Sequence, residues 1–187
     1  MSEERNCAFE PINGQKLCKY SRVRFGWRRI ADNGCGLLAI YNALGLTGHV
    51  PSFDEIHRYL HAWYRPRFFG THPWRIKQYL SKRGLAFRSA KTIQELDGLL
   101  KTGGVAIVVY WNRTIEFMGV QLPNLFRGAH CVTVEYAERY TVYNRFSNRA
   151  CTYEFETLEE CLAKRYFMEG IFLKREDALL TSENSNI

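Results

Sequence analysis

The sequence predicts an α+β fold. Helical signals crowd its first half and strand signals its second, a segregation that separates α+β chains from alternating βαβ ones. Two strand runs between residues 129 and 143 are joined by a connection too short for a parallel crossover, so they pair antiparallel. With 187 residues, 46% of them hydrophobic, the chain is expected to form a single domain over residues 1–181, with 182–187 as a polar, frayed tail.

Residues 1–31 show no clean period. Arg22, Arg24, Arg28 and Arg29 sit among Val23, Phe25, Trp27 and Ile30, which fits a half-exposed strand or arm. Asp32-Asn33-Gly34-Cys35-Gly36 is a glycine-flanked turn that opens a helix at Cys35. Leu38, Tyr41 and Leu44 keep that helix's apolar spacing, and Gly45 stops it. Ser52 and Glu55 have capping-box spacing, so a helix is predicted over 53–63. Pro66 and Gly70 mark a loop. Thr71 then caps a helix through Trp74, Ile76, Tyr79 and Leu80 to a stop at Gly84, with Pro73 tolerated in its first turn.

Residues 85–87 read as a short strand, and Thr92 with Glu95 as a second capping box on a helix to Leu100. Val105-Ala106-Ile107-Val108-Val109-Tyr110 is a continuous apolar run, the mark of a strand covered on both faces. Residues 112–128 read as a long loop. Strands are predicted at 129–136 and 139–143 as a hairpin, then at 150–155 and 171–174, with a short capped helix opened by Thr157 and Glu160 between them.

Composition narrows the setting. A charged start and the lack of any long apolar run argue against an export signal or a membrane span, and place the chain in the cytoplasm. Six cysteines with no C-x-x-C pair read as free thiols, with neither a disulfide framework nor a zinc site, and no cofactor motif is present. The net charge of +7 is uneven: residues 58–91 hold nine Arg or Lys and no acidic residue. Such a face attracts nucleic acid, acidic peptide or a membrane surface.

Chemistry is concentrated at Cys35. A cysteine in the first turn of a helix meets the positive end of the peptide dipoles, where a thiolate forms most easily. It needs a base, and the base needs a partner to fix its tautomer. His130 stands where a glycine loop becomes a strand. If strands 129–136 and 139–143 pair antiparallel, Asn144 returns beside His130, where its amide oxygen can accept the imidazole N–H.

Helix-borne Cys, then His on a strand, then Asn after the following strand resembles the papain-like cysteine peptidase superfamily. Asn33-Gly34-Cys35-Gly36 with Ala39 and Asn42-Ala43-Leu44, then Gly128-Ala129-His130, is nearest to its compact bacteriocin-leader, double-glycine type. The resemblance implies a papain-like fold with N-terminal helices on a C-terminal antiparallel sheet, Cys35 as nucleophile, His130 as base and Asn144 as its orienting residue. The partner would be a peptide or protein substrate. Such families place an oxyanion glutamine about six residues before the cysteine, where this chain has Arg29; Gln15 lies too far upstream to match. Asn33 is the replacement candidate, with the Cys35 backbone N–H. Substrate preference would come from loops 64–72 and 112–128.

His57 and His61 share a helical face but lack the glutamate of a metalloprotease helix, and read as ordinary histidines rather than metal ligands. Three functions remain open: a cysteine peptidase or related thiol acyl-transfer enzyme, a catalytically silent peptide-binding domain, and a nucleic-acid-binding module using the basic, aromatic face 58–91.

Overall fold

The structure, a computed structural model, describes residues 9–61, 71–117, 120–124 and 128–175. The arginine-rich arm folds as a tiny hairpin, β1 (Arg24–Phe25) and β2 (Arg28–Arg29), followed by the single turn α1 (Ile30–Asn33). The helix predicted from Cys35 is α2 (Cys35–Leu46). Nine of its twelve residues are buried, so it behaves as a core helix rather than an amphipathic one. Asn42 is buried at its centre and bonds both ways with the backbone of Ile12, at 2.8 and 2.9 Å, which straps the N-terminal arm across the helix.

Next come α3 (Phe53–Leu60), capped by the Ser52 hydroxyl, and α4 (Pro73–Lys82). The cap of α4 is His72, whose Nδ1 accepts from the Trp74 N–H, rather than the predicted Thr71. Thr71 is instead buried against Gly36. The strand expected at 85–87 forms three residues later as β3 (Arg88–Ala90), where it pairs with the last strand. The Thr92 capping box is formed in full and opens α5 (Ile93–Lys101).

The remaining strands are β4 (Gly104–Trp111), β5 (Thr114–Phe117), β6 (Val120–Pro123), β7 (Ala129–Tyr136), β8 (Tyr140–Tyr143), β9 (Tyr153–Phe155) and β10 (Tyr166–Lys174), with α6 (Leu158–Leu162) before β10. β5 and β6 form a hairpin inside the stretch predicted as loop. The main sheet has six strands in the order β3-β10-β4-β7-β8-β9, every pair antiparallel.

All eight residues of β4 are buried, as the apolar run predicts. Val105, Ile107 and Val109 pack with α2, α3 and α4, while Ala106, Val108 and Tyr110 pack with α5 and α6 on the other face. The first four helices therefore lie on one side of the sheet, and the seam between α2 and β7 carries the candidate site. The predicted tail 182–187 and most of loop 64–72 lie outside the described residues. No helix among the described residues is long and apolar enough to cross a membrane.

Candidate active site

Cys35 is the first residue of α2, with Gly34 as its cap. The first backbone N–H groups of a helix have no partner within it, so the thiol stands in a field that favours negative charge. Any Cβ at Gly36 would lie 2.4 Å from the Thr71 Cβ, so glycine is what lets Thr71, just before α4, pack against this turn. The Thr133 hydroxyl of β7 donates to the Ala39 carbonyl at 3.0 Å, tying the helix to the strand that carries the imidazole. Cys35 is 5% exposed and Cys131 2%, whereas His130 as a residue is partly exposed.

The antiparallel pairing of β7 and β8 brings Asn144 to His130, as the hairpin argument requires. The contact is not the predicted one. His130 Nε2 lies 2.9 Å from the backbone oxygen of Asn144, while the side chain turns away to Gln15: its Oδ1 accepts from the Gln15 N–H at 3.1 Å and its Nδ2 donates to Gln15 Oε1 at 3.4 Å. The physical reason is local. Asn144 has a φ of 55°, a left-handed conformation that asparagine tolerates better than most residues. That twist directs the peptide carbonyl, rather than the amide, at the ring. A carbonyl oxygen only accepts, so Nε2 carries the proton and Nδ1 is left to exchange one with a thiol.

Cys35 interacts with two neighbours from β7. The Cys131 thiol, hydrogen-bonded to the Cys35 sulfur, pulls the Cys35 pKa well below the ordinary thiol value; burial opposes this, and the His130 imidazole adds to it through a hydrogen bond and its charge. Cys131 responds in the opposite sense: the same bond pushes its pKa up, and burial pushes it further. Burial also pulls His130 down, yet its hydrogen bond and Coulomb attraction to Cys35, with the bond to Asn144, leave its pKa raised. Both shifts favour a thiolate facing an imidazolium, the charge state of a primed sulfur nucleophile.

Cys35, His130 and Asn144 are thus brought together, the last through its backbone. Asn33 sits half-buried at the end of α1, and its side chain makes no hydrogen bond among the described residues. Arg29 is exposed on β2. Two residues that the sequence analysis does not count as site residues belong to the group. Cys131 follows His130 directly, a signal visible in the chain but read only as strand. Gln15, dismissed on spacing, is buried, and its Nε2 donates to the carbonyl of Ala31, four residues before Cys35, at 2.9 Å. It joins the segment leading to the thiol with the segment supporting the imidazole.

The other sequence candidates have structural roles. His57 Nε2 lies 2.8 Å from the Arg24 carbonyl oxygen, and His61 Nδ1 accepts from the Gly26 N–H at 3.3 Å, so both clamp the β1–β2 hairpin onto α3. No group of three His, Cys, Asp or Glu converges among the described residues. On the basic stretch, Lys77 and Lys91 both bond Glu169, Arg83 bonds Glu55, and Arg75 donates to the Tyr59 carbonyl and lies over the Tyr59 and Trp74 rings. Tyr79 is buried in the core.

No family model matches the sequence, and no curated protein does. Solved structures do match. A protein assigned as a C39-like peptidase from Bacillus anthracis superposes with a TM-score of 0.51 at 13% identity, over 89% of this chain and 99% of its own. The peptidase domain of Streptococcus ComA, a bifunctional ABC transporter involved in a quorum-sensing pathway, gives 0.48 at 14% identity, over 81% of this chain and 97% of its own. At such identity the likeness is one of fold. Helices set on an antiparallel sheet in this way make up the papain-like α+β fold of a C39-like peptidase.

Proposed function

We propose that the protein is a cysteine peptidase or a related thiol acyl-transfer enzyme acting on a peptide or amide bond. One observation carries the reading: a thiol at a helix N-terminus, its pKa lowered, interacts with an imidazole whose far nitrogen is bonded to the Asn144 carbonyl. In this reading the Cys35 thiolate attacks the carbonyl carbon and the imidazolium of His130 gives its proton to the leaving amine. A water, deprotonated by the neutral imidazole, then cleaves the thioester and restores the thiol. The developing oxyanion is received by the Cys35 N–H at the open end of α2, with the Asn33 amide as the nearby side-chain candidate.

A second reading, a silent domain that binds peptide without cutting it, is favoured by Arg29 standing where the resemblance calls for glutamine. Losing one oxyanion donor lowers a rate by about 10²–10³, so the thiol would remain reactive while turnover became slow. Alkylation with iodoacetamide at neutral pH, mapped by mass spectrometry, tests the shared premise. Cys35 is expected to react faster than the exposed Cys151, and Cys35→Ala to abolish any hydrolysis of a peptide library. A Cys35 no faster than Cys151 would refute both the thiolate and the enzyme.

A further inference from the structure

The hairpin before the candidate site carries an arrangement that stability alone does not explain. In β1 and β2, Arg24 stands directly opposite Arg29, and like charges in directly opposed positions destabilise a strand pair. The hairpin is nonetheless held firmly. Phe25 is wholly buried, His57 and His61 clamp its backbone onto α3, and the Ile30 N–H closes onto the Val23 carbonyl at 2.9 Å. The rigid backbone gathers Arg22, Arg24, Arg28 and Arg29 around an open pocket of about 670 Å³, with Trp27 and Asp32 completing its lining. Four positive groups meet one carboxylate there. None of the four arginines forms an ion pair among the described residues, and Arg24 Nε only donates to the Gly26 carbonyl at 3.2 Å. Trp27 is 58% exposed, a broad apolar surface turned to solvent at the pocket.

We infer that this pocket is a subsite for an acidic stretch of the peptide substrate, its arginines binding carboxylates and Trp27 covering the intervening chain. The inference rests on the peptidase reading and deepens it. Asp32, on the pocket's wall, is three residues before Cys35, and three peptide spans reach at most about 11 Å between Cα atoms. One wall of the pocket thus lies within about 11 Å of the Cys35 backbone, the span of about three residues of an extended peptide. Planar guanidinium groups match carboxylates in pairs, and a concave site focuses their field. A nucleic-acid surface fits less well, because a single exposed aromatic in a bounded pocket is not a platform on which successive bases stack.

The test uses the full chain carrying Cys35→Ala, which separates binding from turnover. Fluorescence anisotropy at low salt compares a labelled peptide holding four glutamates with its glutamine counterpart. The acidic peptide is expected to bind at least about tenfold more tightly, with affinity falling steeply as salt rises. Arg28→Gln with Arg29→Gln should weaken it about tenfold, the product of two roughly threefold losses for exposed ion pairs. Asp32→Asn should strengthen it, and Lys82→Gln, on the far side of α3, should leave it unchanged. Equal binding of the glutamine peptide, or an equal loss with Lys82→Gln, overturns the inference. So does a single-stranded oligonucleotide that outcompetes the acidic peptide at the same arginines. Alkylation of Cys35 reports on the thiol alone, so either result can fail while the other stands.

Discussion

His130 and Cys131 are neighbours on one strand and by its period face opposite sides, yet both reach Cys35 at the strand's start. That convergence was not legible in the sequence, because alternation along β7 argues against it. The pH behaviour follows from the three groups together. Alkylation of Cys35 should rise with pH through a midpoint well below that of an ordinary thiol, about 8.5. Hydrolysis should fall again above the raised His130 pKa, where the imidazolium has lost the proton it gives the leaving amine, so the profile is a bell. Cys131→Ala removes the strongest of the influences that lower the Cys35 pKa, and is expected to shift the rising limb of the alkylation profile to higher pH. An unmoved limb would mean that the imidazole alone holds the thiolate. The pairing of His130 with residue 144 was legible from the hairpin. Which atom makes the contact was not, since nothing in the residue type announces a left-handed backbone.

Elements were legible where local chemistry decides them and misread where tertiary packing does. The Thr92–Glu95 capping box and the two-sided burial of β4 follow from residue types alone. Thr71 looked like a cap, but its burial beside Gly36 removes it from that role. The β5–β6 hairpin was hidden because its strands are four residues long, Gly119 falls between them in the sequence and β6 ends on Pro123. One substitution made in two helices separates packing from propensity. Gly36→Ala drives a methyl into Thr71 and is expected to destabilise by about 1–3 kcal/mol, while displacing the turn that carries the thiol. Gly98→Ala in α5, where nothing lies within 4 Å, should stabilise by about 0.5–1 kcal/mol. Thermal melts of the two proteins, moving in opposite directions, would check this.

At the scale of the whole molecule, the sheet is a partition with a core on each face, and Glu169 of β10, one strand in from the edge, cross-links it. This buried carboxylate takes Lys77 of α4 at 2.9 Å and Lys91, just before α5, at 2.7 Å. Burial pushes its pKa up, but the two ammonium groups outweigh that and leave it lowered. A carboxyl depressed in the folded state stabilises above its unfolded pKa, about 4.3, and loses that contribution as pH falls through the folded value. Glu169→Gln should therefore lower the melting temperature at neutral pH, by an amount equivalent to about 1–3 kcal/mol. The gap to the wild-type chain should close in acid below pH 4. A gap that persists there would assign the effect to packing. The sequence showed the α+β segregation but not this cross-link, because residues 77, 91 and 169 are related only by the closed fold.

The oxygen under the imidazole belongs to the main chain, and a main-chain atom has no codon. A residue at 144 that accepts the same twist leaves that oxygen in place; aspartate also keeps an acceptor for the Gln15 N–H, whereas glycine would leave that buried donor unpaired. Lineages descended from such a molecule can exchange asparagine for aspartate at this position while the ring stays anchored. A motif search that demands an amide there will pass over them.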